Sequence, residues 1–309
     1  MGNATDILIT GASGLLGANL AICAQQHSFN AVGVYHRHKF RLSGVRAVQA
    51  DLRDALVVRD LLRDVRPLWV VHSAALTNVD LCEEEPELAR QINERVTRNL
   101  VESGREFQAR IVHISTDAVF DGGKGEYSEE DTPNPINVYA TTKLAAENTV
   151  RNDSSDHLII RTGIYGWNMQ DKLSLAEWIL QSLEKGTAIP GFKNVFFSPI
   201  LVNDLSVFIM QMISLRLKGL YHVSGSEACS KFDFALKLAD IFGLDSRLVQ
   251  PAGVEDVPLK APRPKNVSLQ TGKISQALGT AMPDVNAGLL RFKELRDSGF
   301  VEKLKAMKG

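Results

Sequence analysis

The sequence predicts an α/β fold, a doubly wound parallel sheet with a smaller C-terminal domain. Three observations predict it. Short apolar runs alternate with segments whose apolar residues recur at helical spacing through the first half of the chain. A glycine-rich turn joins the first apolar run to the first helical segment. Beyond about Gly166 the alternation weakens, as it would where a second unit begins.

The elements follow in order. Ile7, Leu8 and Ile9 form a short run of the kind found in a strand buried on both faces. Gly11, Gly14 and Gly17 come next at a spacing of three, and residues 18–24 read as a helix. A strand that turns sharply into a helix leaves free N–H groups at the helix start, and these with the helix dipole suit a pyrophosphate. Gly11 permits the turn, Gly14 lets phosphates approach the backbone, and Gly17 lets helix and strand pack closely. Residues 31–35 and 45–50 are further strands, the latter ending at Asp51, and 54–65 has helical periodicity. Residues 69–75 read as a strand running into small side chains. Residues 83–107 read as one long helix whose acidic start complements its dipole. A strand at 110–115, a turn-rich stretch at 121–135, a helix at 137–150 and a strand at 157–161 follow.

In the second half, 173–183, 202–215 and 232–242 read as helices and 219–223 as a strand. Four prolines in 251–264 predict loop, and 289–307 reads as a helical tail. The expected division is a dinucleotide-binding domain at 1–165, with 199–225 packing back on it. A substrate-binding domain is expected at 166–198 and 226–309. Ligands of such sheets lie beyond the carboxyl ends of the strands, so the second domain would close a cleft there.

Composition narrows the function classes. With 35 basic and 36 acidic residues the net charge is −1, which gives no general nucleic-acid or membrane surface. The uncharged run 7–24 holds three glycines with Asn and Ser, against a membrane span. Cys23, Cys82 and Cys229 are far apart, and neither C-x-x-C nor H-E-x-x-H occurs. No metal site is expected, and a reducing, cytoplasmic compartment is.

The candidate chemistry sits on the fifth strand and the helix after it. Tyr139 and Lys143 are four apart and share a helix face. An ammonium beside a phenol favours the phenolate and lowers its pKa, which makes a usable acid or base. Thr116, at the strand end, is placed to hydrogen-bond the same substrate oxygen. His72 and His113 lie within strands and read as packed core histidines.

These residues carry a resemblance. Thr10-Gly-Ala-Ser-Gly-Leu-Leu-Gly17, Ser73-Ala-Ala75, Thr77-Asn-Val-Asp-Leu-Cys-Glu83, Asn93, Ser115-Thr-Asp-Ala-Val-Phe-Asp-Gly122, Tyr139-Ala-Thr-Thr-Lys143, Arg161-Thr-Gly-Ile-Tyr-Gly166, Phe197-Ser-Pro199, Tyr221-His-Val-Ser-Gly225 and Pro262-Arg-Pro264 stand in family order. The chain resembles an extended short-chain dehydrogenase/reductase with a Rossmann-type sheet, and within that group the dTDP-4-dehydrorhamnose reductase branch. The resemblance implies reduction of a 4-keto group on a nucleotide-linked sugar, a small-molecule substrate, with hydride from a reduced nicotinamide. It implies that Tyr139 donates the proton, that Thr116 holds the carbonyl oxygen, and that Lys143 tunes the tyrosine and binds the nicotinamide ribose. It places the cofactor on Gly11, Ser13, Gly14, Leu15, Leu16 and Gly17, with Asp51 and Leu52 at the adenine and Ser73, Ala74 and Ala75 along the wall. Asn93 is similar to the family's helix asparagine near the lysine. Short-chain reductases often dimerise through helices, so a homodimer is a candidate assembly.

The chain also departs from the branch. Ala118 stands where its reductases usually show Tyr and related dehydratases show Glu. Alanine removes no proton, which disfavours elimination of water. Two other readings stay open: a nucleotide-sugar epimerase that returns its hydride, and a non-catalytic dinucleotide-binding member like the regulatory subunit of methionine adenosyltransferase. Lys172, Lys193 and Arg263 are candidate partners for a substrate diphosphate.

Cofactor choice is read after the second strand. NAD-selective folds place Asp or Glu there for the ribose 2′-hydroxyl. Residues 32–42 hold none and offer Arg37 among His36, His38, Lys39 and Arg41. A guanidinium binds a 2′-phosphate bidentately, so NADP(H) is expected over NAD(H), through Arg37.

Overall fold

A computed structural model of the chain describes residues 5–153 and 156–309. Seven parallel strands form the central sheet: β1 (Ile7–Thr10), β2 (Ala31–Tyr35), β3 (Arg46–Gln49), β4 (Trp69–His72), β5 (Arg110–Ile114), β6 (Leu158–Arg161) and a late strand, Gly219–His222. The late strand pairs with β6, and the spatial order from the other edge is β3-β2-β1-β4-β5-β6 and then this strand. The order reverses direction at β1, and that is where doubly wound sheets open a crevice for ligands. Thr10 stands in register with both Val34 and His72, and His72 with His113. The carboxyl ends of β1, β2, β4 and β5 therefore gather in one place.

The strands are apolar because helices cover both faces. β1, β4 and β6 are buried at every position. On one face, α1 (Leu15–Gln26) packs its small and apolar residues against the sheet. On the other, α2 (Ala55–Val65) meets the later helix Val96–Phe107 through Val58, Leu62 and Leu100. The Asp54 carboxylate starts α2 by accepting from the N–H groups of Leu56 and Val57.

The expected single helix over 83–107 is four pieces. Asn78 caps α3 (Val79–Glu84) by accepting from Leu81 N at 3.2 Å. The chain leaves helical geometry at Glu85 because Pro86 has no N–H to give, and α4 (Pro86–Ala89) restarts with that proline in its first turn. Arg90–Arg95 is wound as a π-helix and leads into α5 (Val96–Phe107). After β5, α6 (Val138–Asp153) begins where Asn137 Oδ1 accepts from Ala140 N at 2.9 Å.

After β6 the chain builds three small ladders. β7 (Gly163–Tyr165) pairs with β10 (Pro199–Leu201), β8 (Ile189–Phe192) with β13 (Val249–Ala252), and β9 (Phe196–Phe197) with β12 (Cys229–Ser230). Helix α7 (Leu175–Glu184) opens with a capping box of Ser174 and Glu177. Helix α8 (Val202–Ser214) returns to pack on α1 and leads into the late sheet strand, β11. Helix α9 (Lys231–Phe242) packs Phe234 against Tyr165 and Phe197. The proline-rich stretch is mostly loop, but its start is β13, where Pro251 is tolerated in a two-stranded ladder. The expected tail helix is split. Gly299, at φ 76°, separates α11 (Val285–Asp297) from α12 (Phe300–Ala306), and α10 (Gly272–Leu278) precedes them. No helix among the described residues is long and apolar enough to cross a membrane.

Candidate active site

The glycine turn sits at the reversal of strand order. Gly11 adopts φ +64°, and a Cβ there would lie 2.9 Å from the Ala74 backbone. A Cβ on Gly17 would lie 2.1 Å from the Gly11 carbonyl oxygen, so strand and helix approach as closely as only glycine allows. Gly14, the residue before α1, offers no side-chain cap. The first N–H groups of α1 therefore have no intrahelical partner, at the end of the helix where Ser13 and Gly14 meet the cleft. Ser73 Oγ donates to the Thr10 carbonyl at 2.7 Å, and Ala74 N donates to Thr10 Oγ1 at 3.2 Å, which ties the end of β4 to the turn.

A cavity of about 410 Å³ opens over this turn. Gly11, Ser13, Gly14, Arg37, Asp51, Leu52, Ser73, Ala74 and Ala75 all line it. Leu15, Leu16 and Gly17 instead form the first turn of α1 and are not in the wall. His36 and His38, read beside Arg37 in the sequence, are in the same wall, and so is Arg53, which sequence reasoning missed. Arg53 grips Asp51 with Nε at 2.9 Å and Nη2 at 2.6 Å, and His36 stands 3.7 Å away. The hydrogen bonds from Arg53 hold the Asp51 carboxyl down at about 2. No hydrogen bond or ion pair engages Arg37 among the described residues, so its guanidinium is free to meet a ligand.

The three expected catalytic residues converge at the next strand end. Ser115 N donates to the Ile160 carbonyl at 2.7 Å, which carries the β5 ladder up to Thr116. The Tyr139 phenol lies close enough to the Thr116 hydroxyl to feel it, and that hydroxyl donates to Asp117 Oδ1 at 3.1 Å. Lys143, one turn along α6, is 3% exposed. Its Nζ donates to the Ile114 carbonyl at 2.6 Å and lies 3.4 Å from His113 Nε2.

One expectation is corrected. The tyrosine was to be acidified by its lysine, yet the phenol is pushed up to about 12. Burial is the main cause, the Thr116 hydroxyl offsets only part of it, and Asp117 and Cys82 add to the rise. Lys143 directs two of its protons to Ile114 and His113, and burial brings its own pKa down to about 8.

The profile of the RmlD substrate binding domain family matches residues 5–295 of this chain. The chain belongs to this family. It is 29% identical to a probable low-salt glycan biosynthesis reductase of Haloferax volcanii over 91% of this chain and 95% of that one. It is 32% identical to the methionine adenosyltransferase 2 subunit beta of Rattus norvegicus, over 87% and 81%. Among solved structures it resembles dTDP-4-dehydrorhamnose reductase from Bacillus anthracis in complex with NADP. The TM-score is 0.84 at 29% identity, over 94% of this chain and 99% of that one.

The remaining expected residues find definite places in this family member. Asn93 lies in the π-helical stretch and holds both backbone groups of Leu76, accepting from its N–H at 2.8 Å and donating to its carbonyl at 3.2 Å. A second donation, to Thr142 Oγ1 at 3.1 Å, joins that loop to α6. Asn93 thus orders the backbone of the loop after β4 and ties it to the helix that carries Lys143. His72 and His113 are fully buried and neutral, as expected of core histidines, and burial brings His72 down to about 3. Of the three candidate diphosphate partners, Lys172 donates to Thr77 Oγ1 at 2.9 Å and Lys193 stands over the Phe232 ring. Arg263 pairs with Asp80 at 3.0 Å, latching the proline-rich loop to α3.

Sequence reasoning also missed Asp117 and Lys231. Burial raises the Asp117 carboxyl to about 6, while Lys231 acts on it favourably from the start of α9. Lys231 lines a second, smaller cavity with Trp178, Pro190 and Phe192. Its signal was a lysine opening an otherwise amphipathic helix, which reads as a solvated end. Among the described residues no group of three His, Cys, Asp or Glu side chains is placed to hold a metal ion.

Proposed function

We propose that this protein reduces a keto group on a nucleotide-linked sugar with NADPH. The observation that carries the reading is the convergence of Thr116, Tyr139 and Lys143 at one strand end beside the dinucleotide cleft. The cleft suits the cofactor chemically: an uncapped helix start for the pyrophosphate, a glycine turn that any side chain would fill, and the free Arg37 for a 2′-phosphate. When bound, the reduced nicotinamide supplies the hydride.

The side chains handle the proton. Because burial keeps Tyr139 protonated throughout the neutral range, it stands ready as an acid. Thr116 holds the carbonyl oxygen beside the phenol, so the donated proton has a short, fixed path. Lys143 is mainly the ammonium at neutral pH and stabilises the phenolate once the proton has left. Ala118 brings no carboxylate to the neighbouring carbon, which favours reduction over loss of water. The apolar slot with Trp178, Phe192 and Lys231 suits an aromatic base bearing an anionic linker.

A second reading rests on the 32% identity with a methionine adenosyltransferase subunit: dinucleotide binding without turnover, in the service of a partner enzyme. Incubation with NADPH and dTDP-linked 4-keto-6-deoxyhexose separates the two. Stoichiometric loss of reduced cofactor and a new sugar hydroxyl support the reductase. Tight cofactor binding, no turnover across a panel of nucleotide-linked keto sugars, and complex formation with a methionine adenosyltransferase catalytic subunit support the second reading.

A further inference from the structure

The lysine under Tyr139 rests on a histidine that neither reading above uses. His113 is on β5 and His72 beside it on β4, with ring centroids 5.5 Å apart, both fully buried. Their proton positions follow from counting donors. Thr97 Oγ1 donates its proton to the Asn93 carbonyl at 2.9 Å, so at His72 Nε2, 3.1 Å away, it can only accept. His72 therefore carries its proton on Nε2. Its Nδ1 then accepts from Thr10 Oγ1 at 2.8 Å, and Thr10 is the residue just before the glycine turn. His72 ties the ends of β1 and β4 to α5 with both ring nitrogens satisfied.

The same counting fixes His113. Its Nε2 lies 3.4 Å from the Lys143 ammonium, which has only donors to offer. A proton on Nε2 would point N–H at N–H. Nε2 must therefore present its lone pair, and the ring proton sits on Nδ1. That atom is buried and has no partner among the described residues. An unsatisfied buried N–H is unfavourable. The unfavourable tautomer is imposed by the lysine.

We infer that His113 is a positioning residue that, together with the Ile114 carbonyl, holds the Lys143 ammonium by two of its three protons and aims the third into the active-site cleft. An ammonium on a flexible stem rotates freely with one acceptor. With two acceptors fixed on one strand, the direction of the third N–H is set by the fold. The lysine thus meets the tyrosine and a ribose hydroxyl without losing that orientational freedom on binding. The inference rests on the catalytic reading of Lys143, and the experiment separates the two.

The direct test needs no substrate. Ring-nitrogen NMR of histidine-labelled protein reads the tautomer of each of the 7 histidines. His113 is expected neutral with the proton on Nδ1, and Lys143→Met should release it toward the other tautomer. An Nε2–H tautomer for His113 in the wild type overturns the inference. Turnover with NADPH and a dTDP-linked 4-keto sugar supplies the second arm. His113→Leu should lower kcat by up to about 10²-fold, with little change in KM for the sugar, and His113→Gln, which keeps an acceptor, should recover most of it. Unchanged kcat in His113→Leu refutes the positioning role. If Lys143→Met itself turns over normally, the catalytic reading fails first. Should His113→Leu fail to fold, the NMR arm and His113→Gln decide.

Discussion

Helix α6 carries both Tyr139 and Lys143, and its attachment to the sheet is a buried ion pair. Arg161 is 1% exposed and Glu147 fully buried. The guanidinium grips the carboxylate with Nε at 3.0 Å and Nη2 at 2.7 Å, and Ser115 Oγ donates to the same carboxylate at 2.5 Å. Phe120 lies against it, with its ring centre 5.1 Å from the guanidinium carbon. Arg161 Nη1 has no partner among the described residues, so the pair has nothing in reserve. Glu147→Leu leaves the guanidinium buried and uncompensated, which costs about 3–5 kcal/mol. For 309 residues, an unfolding entropy of about 0.65 kcal/mol/K turns this into a fall in Tm of about 5–8 °C. Removing both charges should hurt far less, because a buried pair roughly breaks even against well-packed apolar side chains. The assay is a double-mutant cycle of Glu147→Leu and Arg161→Met by urea unfolding and calorimetry. The account expects the double variant to be more stable than either single one. If Glu147→Leu alone is as stable as the double variant, the pair does not brace α6 and the reasoning is wrong.

Acid should destabilise the fold before most carboxylates titrate. His72 and His222 are brought down to about 3 by burial, and His113 well below its usual value. The unfolded chain therefore binds these protons first, and stability present above about pH 6.5 is lost as pH falls. His72 and His222 each contribute about 2 kcal/mol of loss at pH 5 and His113 acts in the same direction, while Asp117, raised to about 6, gives back about 1. Urea midpoints at pH 7 and 5 measure the fall, and a flat profile contradicts it. Arg37→Ala should weaken NADPH binding about ten- to a hundredfold and leave NADH unchanged, by titration of both cofactors. Gly17→Ala, whose Cβ would lie 2.1 Å from the Gly11 oxygen, should abolish dinucleotide binding and lower Tm. A variant that binds normally would show that the turn tolerates a side chain.

The inner strands of the sheet were legible because they are buried on both faces, so each is a short apolar run: 31–35 ends where the pattern ends, while the strand expected over 69–75 stops at His72, before the small side chains begin. Helix boundaries were less so. Periodicity continues across Glu85 and Gly299, and only Pro86 and a positive φ at Gly299 reveal the breaks. The small ladders of the second half escaped notice because two- to four-residue strands carry too few alternations to show a period. In the site, Thr116, Tyr139 and Lys143 were readable as types at a spacing, and the cleft residues from the glycine turn onward. Their electrostatics were not. A four-residue spacing says that lysine and tyrosine share a face, but burial, which raises the phenol, is set by tertiary packing that no spacing shows. Asp117 and Lys231 are far apart in sequence, Glu147 and Arg161 lie on different elements, and each pair meets only through the fold.

The central claim is that Tyr139 is the proton donor in a reductase. The measurement that bears on it most directly is turnover by wild type and Tyr139→Phe at saturating NADPH and a dTDP-linked 4-keto sugar, with cofactor affinity measured on the same samples. The account predicts that wild type consumes the cofactor in step with sugar reduced. Tyr139→Phe should bind NADPH as tightly yet turn over about 10²–10⁴-fold more slowly. A Tyr139→Phe protein that reduces the sugar at the wild-type rate would contradict it.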